Sequence, residues 1–138
     1  MAVKAEAKGV RMSPRKVGEV AALVRGRSVA DALVILEHTP RRAATPVIKT
    51  IKSAEANATH NHNYKPGTLR IVEITVNHGA RLKRFRPAAM GRALPYQKRT
   101  SHIRVLVEGE QRPVKNQAAG SADKAAKPAA TAEKKESK

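Results

Sequence analysis

His78-Gly79-Ala80-Arg81-Leu82-Lys83-Arg84-Phe85-Arg86-Pro87-Ala88-Ala89-Met90-Gly91-Arg92-Ala93-Leu94-Pro95-Tyr96-Gln97-Lys98-Arg99-Thr100 joins two segments that each read as a strand. Val72, Ile74 and Val76 alternate with Glu73 and Thr75 before it, and Ile103, Val105 and Val107 alternate with Arg104 and Glu108 after it. Each segment therefore has one apolar face, and the two are expected to pair antiparallel over a core. The joining stretch holds seven Arg or Lys, and no acid occurs between Glu73 and Glu108. Ordinary hairpin loops have about 2–5 residues, and a much longer one is functional or disordered. Leu82, Phe85, Met90 and Leu94 are too sparse to build a core there.

Folded back on itself, the stretch would form a ribbon with arms of about eleven residues, projecting on the order of 35 Å at ~3.3 Å per residue. An isolated two-stranded ribbon is marginal in water. Residues 78–100 are therefore expected to be disordered in the free protein and held by an external polyanion, RNA or DNA backbone. A solvated flexible loop is the competing reading, but such a loop has no need to exclude acids while gathering Arg. Pro87 and Pro95 bracket a short tip in which Gly91 can adopt positive φ.

Working outward, Val3, Ala5 and Ala7 alternate with Lys4, Glu6 and Lys8, which predicts a short edge strand up to about Val10. Ser13-Pro14 predicts a helix start, Val17, Val20, Ala21 and Val24 give its apolar stripe, and Gly26 closes it. Ser28 with Asp31 resembles a capping box for a second helix with the stripe Val29, Ala32, Leu33 and Leu36. Ala44, Val47, Ile48, Ile51, Ala54 and Ala58 predict a third helix ending near Asn61. Pro46 either kinks that helix or marks its start with Thr45. Asn61 through Gly67 reads as loop.

The whole chain has 138 residues, 28 Lys or Arg and 11 Asp or Glu, for a formal charge of +17. This bounds the answer to one domain, 1–110, with a basic tail. Residues 111–138 hold eight Ala, six Lys, one Arg and three acids, and are expected to be disordered. So high a charge favours a polyanionic partner, and a scarcity of aromatics (Tyr64, Phe85 and Tyr96) argues against base stacking. Binding should rest on phosphates and shape. The absence of cysteine excludes disulfides, Cys-ligated zinc and thiol catalysis. No apolar run approaches the ~20 residues of a membrane span, and the first residues lack a secretory h-region, so the cytoplasm is the expected compartment.

Arg11, Arg15 and Lys16 stand at the start of the first helix and Arg41 and Arg42 at the start of the third, where positive charge opposes the macrodipole. Phosphates bound there would reverse that penalty. His60 and His62 lack neighbouring carboxylates, so neither a metal nor a cofactor is expected. Ser101-His102 lacks an orienting acid, and no phosphate-binding loop or carboxylate pair appears, so the chain reads as a non-enzyme. An architectural DNA-binding protein is the main rival. A membrane-surface protein would need a helix with large hydrophobes opposite a Lys face, and an RNA-processing enzyme would need an acid/base pair.

Three separated motifs resemble one family. They are Arg11-Met12-Ser13-Pro14-Arg15-Lys16-Val17 with Leu23-Val24-Arg25-Gly26, then Ala54-Glu55-Ala56-Asn57-Ala58 with His60-Asn61, and then Lys83-Arg84 through Met90-Gly91-Arg92-Ala93 to Lys98-Arg99-Thr100-Ser101-His102-Ile103. Over about residues 2–109 the chain resembles the bacterial large-subunit ribosomal protein L-twenty-two family. The resemblance implies an α+β body, three helices packed on a small three-stranded antiparallel sheet, with a protruding β-hairpin at 77–101. It further implies a cytoplasmic rRNA-binding constituent of the large subunit that supports assembly. The body would sit near the exit of the nascent-peptide tunnel, and the hairpin would thread several rRNA domains. Leu82-Lys83-Arg84 would lie near a macrolide-sensitive region, and the hairpin would influence arrest peptides. Expected rRNA contacts are Arg11, Arg15, Lys16, Arg25, Arg41, Arg42, Arg81, Lys83, Arg84, Arg86, Lys98, Arg99 and His102. Ala88, Ala89, Met90, Gly91, Arg92 and Ala93 are expected to line the tunnel. Expected partners are large-subunit rRNA, neighbouring ribosomal proteins and, transiently, the nascent peptide, with no membrane and no homo-oligomer.

Overall fold

A computed structural model of the chain describes residues 2–112. In chain order it comprises β1 (Val3–Val10), α1 (Pro14–Val24), α2 (Val29–Glu37), α3 (Ala44–Ala56), β2 (Arg70–Pro87) and β3 (Ala93–Glu108). The strands form one antiparallel sheet in the order β1-β3-β2, so the fold is α+β as the sequence predicts. The helices cover one face of it. Val17, Val20, Val24, Val47, Ile51 and Ala54 meet Ile71, Ile74, Ile103, Val105 and Val107 in a single core. α1 and α3 lie on the sheet, and α2 packs against both of them.

Local chemistry explains the boundaries. Ser28 caps α2: its hydroxyl accepts from Asp31 N–H at 3.1 Å and donates to the Asp31 carboxylate at 2.6 Å. Asp31 thus reaches back to the hydroxyl, being too short to reach the capping backbone N–H as Glu does in a full box. Pro46 neither kinks α3 nor begins it. It lies in the first turn, where backbone N–H groups have no intrahelical acceptor, and a residue without one fits. After Ala56 the helix widens into a π-helical turn, Asn57–Asn61, which brings the chain to the predicted end.

Gly26 has φ +76°, as a helix-closing glycine should. Its N–H does not turn back to α1 but donates to Ile71 C=O at 3.0 Å, while Ile71 N–H donates to Arg27 C=O at 2.9 Å and Val29 N–H to Leu69 C=O at 3.0 Å. The α1–α2 linker therefore covers the outer edge of β2 where that strand begins, protecting an otherwise unpaired edge.

The sheet corrects the predicted β2 face. A bulge between Ile71 and Glu73 places one extra residue in the strand, so Ile71 and Ile74 are buried while Val72 is 49 % exposed. One inserted residue shifts the alternation. Tyr64, read as loop, is a core residue. It is tied down by its N–H to Ala58 C=O and by a bridge to Gln111. Arg112 N–H donates to Asn63 C=O at 2.8 Å, so the first two residues of the expected tail are paired with this loop. The remainder of that expected tail, from 113 on, lies outside the described residues.

Candidate nucleic-acid interface

The body sheet has three strands as far as the rung Val10↔Ser101↔His78. Beyond it β2 and β3 continue alone. Seven rungs follow, from Arg81↔Arg99 to Pro87↔Ala93. At ~3.4 Å per residue the free ribbon is roughly 24 Å long. This is shorter than the expected 35 Å, because Gly79 and Ala80 are taken up by a bulge and residues 88–92 by the tip, which leaves seven rungs of each eleven-residue arm.

The register assigns each ribbon residue to a face, since successive side chains point to opposite sides. Arg81, Lys83 and Arg99 share one face with Phe85, Gln97 and Pro95; Arg84, Arg86 and Lys98 share the other with Leu82, Tyr96 and Leu94. Three cations stand on each side. All six side chains are exposed, and none makes an ion pair among the described residues. Arg81 and Arg99 stand directly opposite one another, a like-charge pair that destabilises a ribbon in water. The Arg86 guanidinium lies 5.1 Å over the Tyr96 ring, a cation–π contact that steadies this arm.

The tip is a single 3-10 turn, Ala89–Gly91, closed by Ala88 N–H to Arg92 C=O at 2.8 Å. Gly91 has φ +69°, as predicted, and Met90 is also left-handed at φ +59°, which the sequence did not signal. Met90 is 91 % exposed and heads the turn, with Ala88, Ala89, Arg92 and Ala93 around it.

The cations of the body converge. Arg11, Lys16, Arg41 and Arg42 line one groove of about 470 Å³ together with Met12, Ser13 and Ala43. Arg11, Met12 and Ser13 also line an adjoining cleft of about 370 Å³ with Leu82, Gln97, Lys98, Arg99 and Thr100. A continuous cationic channel thus runs from the start of α3, past the start of α1, to the root of the ribbon. Both helices open on it without a side-chain cap and without an acid in the first turn, whereas α2, remote from it, has both. Uncapped N–H groups and a positive dipole end are what an anionic oxygen requires. Glu19 is the nearby acid: its carboxylate accepts from the Arg41 guanidinium at 2.8 Å and approaches Arg15 at 3.9 Å.

Two of the expected contacts also bond within the protein. Arg25 donates to Ile74 C=O at 3.1 Å, fixing it against β2 at a distance from the groove's lining. His102, whose place in a strand allows a strand-face role beside the expected RNA contact, uses Nδ1 to accept from Gly9 N–H at 3.0 Å. No group of three or more potential metal ligands occurs among the described residues. No described helix is long and apolar enough to cross a membrane.

Known proteins resemble the chain over most of this fold. The profile of the family described as Ribosomal protein L22p/L17e matches residues 5–108, the helices, the ribbon and nearly all of the sheet. The chain is 53 % identical over 108 residues to the large ribosomal subunit protein uL22 of Clostridioides difficile, covering 78 % of this chain and 97 % of that one. It is 55 % identical over 104 residues to uL22 of Lactobacillus helveticus, covering 75 % and 89 %. For uL22 of Oceanobacillus iheyensis the figures are 54 % over 107 residues, covering 78 % and 95 %. With its helices, its ribbon and all but the first two residues of its sheet inside the matched span, the chain belongs to the Ribosomal protein L22p/L17e family.

Proposed function

We infer that this chain is a structural, non-enzymatic constituent of the large ribosomal subunit, that it binds large-subunit rRNA through its ribbon and its cationic groove, and that it supports subunit assembly in the cytoplasm. Its family and the name of its relatives support the first part. One observation carries the RNA reading: three unpaired cations on each face of a two-stranded ribbon. A duplex lying alongside would neutralise one face and leave the other repelling itself. Folded RNA that surrounds the ribbon neutralises both, contacting phosphates and shape. This favours an rRNA partner over the architectural DNA-binding alternative.

The domain 1–110 then acts as a unit in which the groove holds the body on rRNA while the hairpin 77–101 reaches between several rRNA domains. Its small, mostly uncharged tip, Ala88 to Ala93, suits a wall of the nascent-peptide tunnel, because it offers passing peptide little charge to adhere to beyond Arg92. Neighbouring ribosomal proteins and the nascent peptide complete the partners. Arg84→Glu or Arg99→Glu is expected to lower occupancy in purified large subunits more than Met90→Ala. Mass-spectrometric occupancy against the parent chain measures this, and equal occupancy for all three rejects the arm-binding reading. Filter binding to structured large-subunit rRNA and to duplex DNA, across a salt series, separates the two nucleic-acid classes; tighter duplex binding rejects the rRNA assignment.

A further inference from the structure

Where the sheet narrows to the ribbon, both outer strands carry a bulge. Lys8 and Gly9 of β1 together face His102 of the central strand, and Gly79 and Ala80 of β2 together face Thr100. A bulge leaves backbone groups without their ladder partners. Here the residue opposite each bulge supplies one with its side chain. The His102 imidazole accepts from Gly9 N–H at 3.0 Å, and the Thr100 hydroxyl donates to Ala80 C=O at 2.7 Å.

Gly79 is the floor of this arrangement. A Cβ built on it would lie 2.5 Å from Thr100 Oγ1, 3.1 Å from the Thr100 carbonyl carbon and 3.3 Å from His102 Nε2. Thr100 Oγ1 is held by its own hydrogen bond, Nε2 belongs to a ring held through Nδ1, and the third atom is backbone, so none can yield cheaply. Gly9, at φ +71°, supplies the left-handed turn that aims its N–H at the imidazole.

We propose that Gly9, Gly79, Thr100 and His102 form a clamp that fixes the direction in which the ribbon leaves the body. Thr100 and His102 are then positioning residues, and His102 acts through the sheet and not by touching phosphate. The proposal rests on the reading of the ribbon as an RNA-binding limb, since a limb that enters folded RNA must leave its body at one angle. The cysteine-free chain allows a nitroxide pair at Val34→Cys and Leu82→Cys in the full-length free protein, both sites being exposed.

The parent protein should give one narrow distance. Thr100→Val, which removes the hydroxyl and keeps the shape, should broaden it; Thr100→Ser should restore it; and Gly79→Ala should shift it. In parallel, His102→Ala should speed exchange of the Gly9 amide roughly fivefold, the worth of one ordinary hydrogen bond, and His102→Asn, which keeps an acceptor near the same place, should slow it again. A parent distribution as broad as that of Thr100→Val overturns the clamp, as does a Thr100→Val distribution identical to the parent's. Neither measurement involves RNA, so failure here leaves the RNA reading standing, while equal subunit occupancy of Arg84→Glu and the parent would sink that reading alone.

Discussion

β2 and β3 are each one continuous strand, yet their two halves obey different physics. In the body half, Ile71, Ile74, Ile103, Val105 and Val107 lie under α1 and α3. In the ribbon half the backbone ladder continues beyond the bulge at its root, but none of the 22 buried apolar residues among the described residues comes from 77–100. The ladder is the same and the burial is not. Net backbone hydrogen bonding contributes little beyond what water offers, so a ladder without a covered face is marginal. The body half is stabilised from within the chain. The ribbon half has no such cover, and the proposed rRNA contact to its cations would supply what the core does not.

That contrast is broken most directly at the core. Ile103 is fully buried in β3, and Ile103→Ala should destabilise the free protein by about 2–5 kcal/mol. Phe85, 73 % exposed on the ribbon, should cost the free protein almost nothing as Phe85→Ala. Denaturant titrations of both variants check this. A loss at Phe85 matching that at Ile103 would mean that the ribbon belongs to the body's cooperative unit.

Amide exchange sharpens the same contrast without mutation. Residues 103–107 should exchange with protection near the global stability, and residues 81–99, paired most of the time but opening readily, should exchange far faster in free protein and slow on binding large-subunit rRNA. Full protection of 81–99 before RNA is added contradicts the account of an externally held ribbon. The clamp at Thr100 and His102 predicts where the change between the regimes falls: at the ribbon's root and not gradually along its arms.

Much of the body was legible because simple periodicities hold there. Ile103, Val105 and Val107 face inward as their alternation says, and Ser28 with Asp31 caps α2 where the pattern places it. The cations of the ribbon were legible from charge alone, and their even division between two faces required the register. Local reading failed where a long-range partner decides the geometry. Nothing near Gly26 announces that its N–H bonds to Ile71, and nothing near Tyr64 announces that a polar loop folds inward. Arg11, Lys16, Arg41 and Arg42 looked like two separate helix starts; only packing α1 beside α3 makes them one groove. His102 read as a strand-face or RNA-contact residue, and its bond to Gly9 could not be read locally because the β1 bulge that engages it lies 93 residues away in sequence.

The Val72 bulge offers a sharper test of where pattern reading ends. By alternation Val72 should be core; in the structure Ile71 is buried and Val72 is half exposed. Ile71→Thr places a hydroxyl in the core and removes apolar volume, which should cost about 1–3 kcal/mol or more. Val72→Thr should stay within about 0.5 kcal/mol of the parent. Thermal melts of the two variants decide the matter, and the reverse order would restore the unbulged strand.

Glu19 gives the smallest and most discriminating effect. It is the acid paired with Arg41 and Arg15 beside a groove otherwise lined with cations, and its side chain is 48 % exposed. An exposed ion pair contributes little to folding, so Glu19→Gln should leave the melting temperature nearly unchanged. In RNA binding it has two opposed roles: it withdraws one negative charge from the groove when mutated, and it orients Arg41 while present. Coulomb attraction acts over the whole groove at low salt, whereas the orienting contact is one flexible surface pair. The charge effect should win, and Glu19→Gln should bind rRNA tighter at low salt by less than tenfold, with the advantage fading as screening shortens the reach of the charge. Filter binding over a salt series reads this. Weaker binding at every salt concentration would show that holding Arg41 in place outweighs the charge, and that the groove, unlike the ribbon, depends on contacts built within the chain.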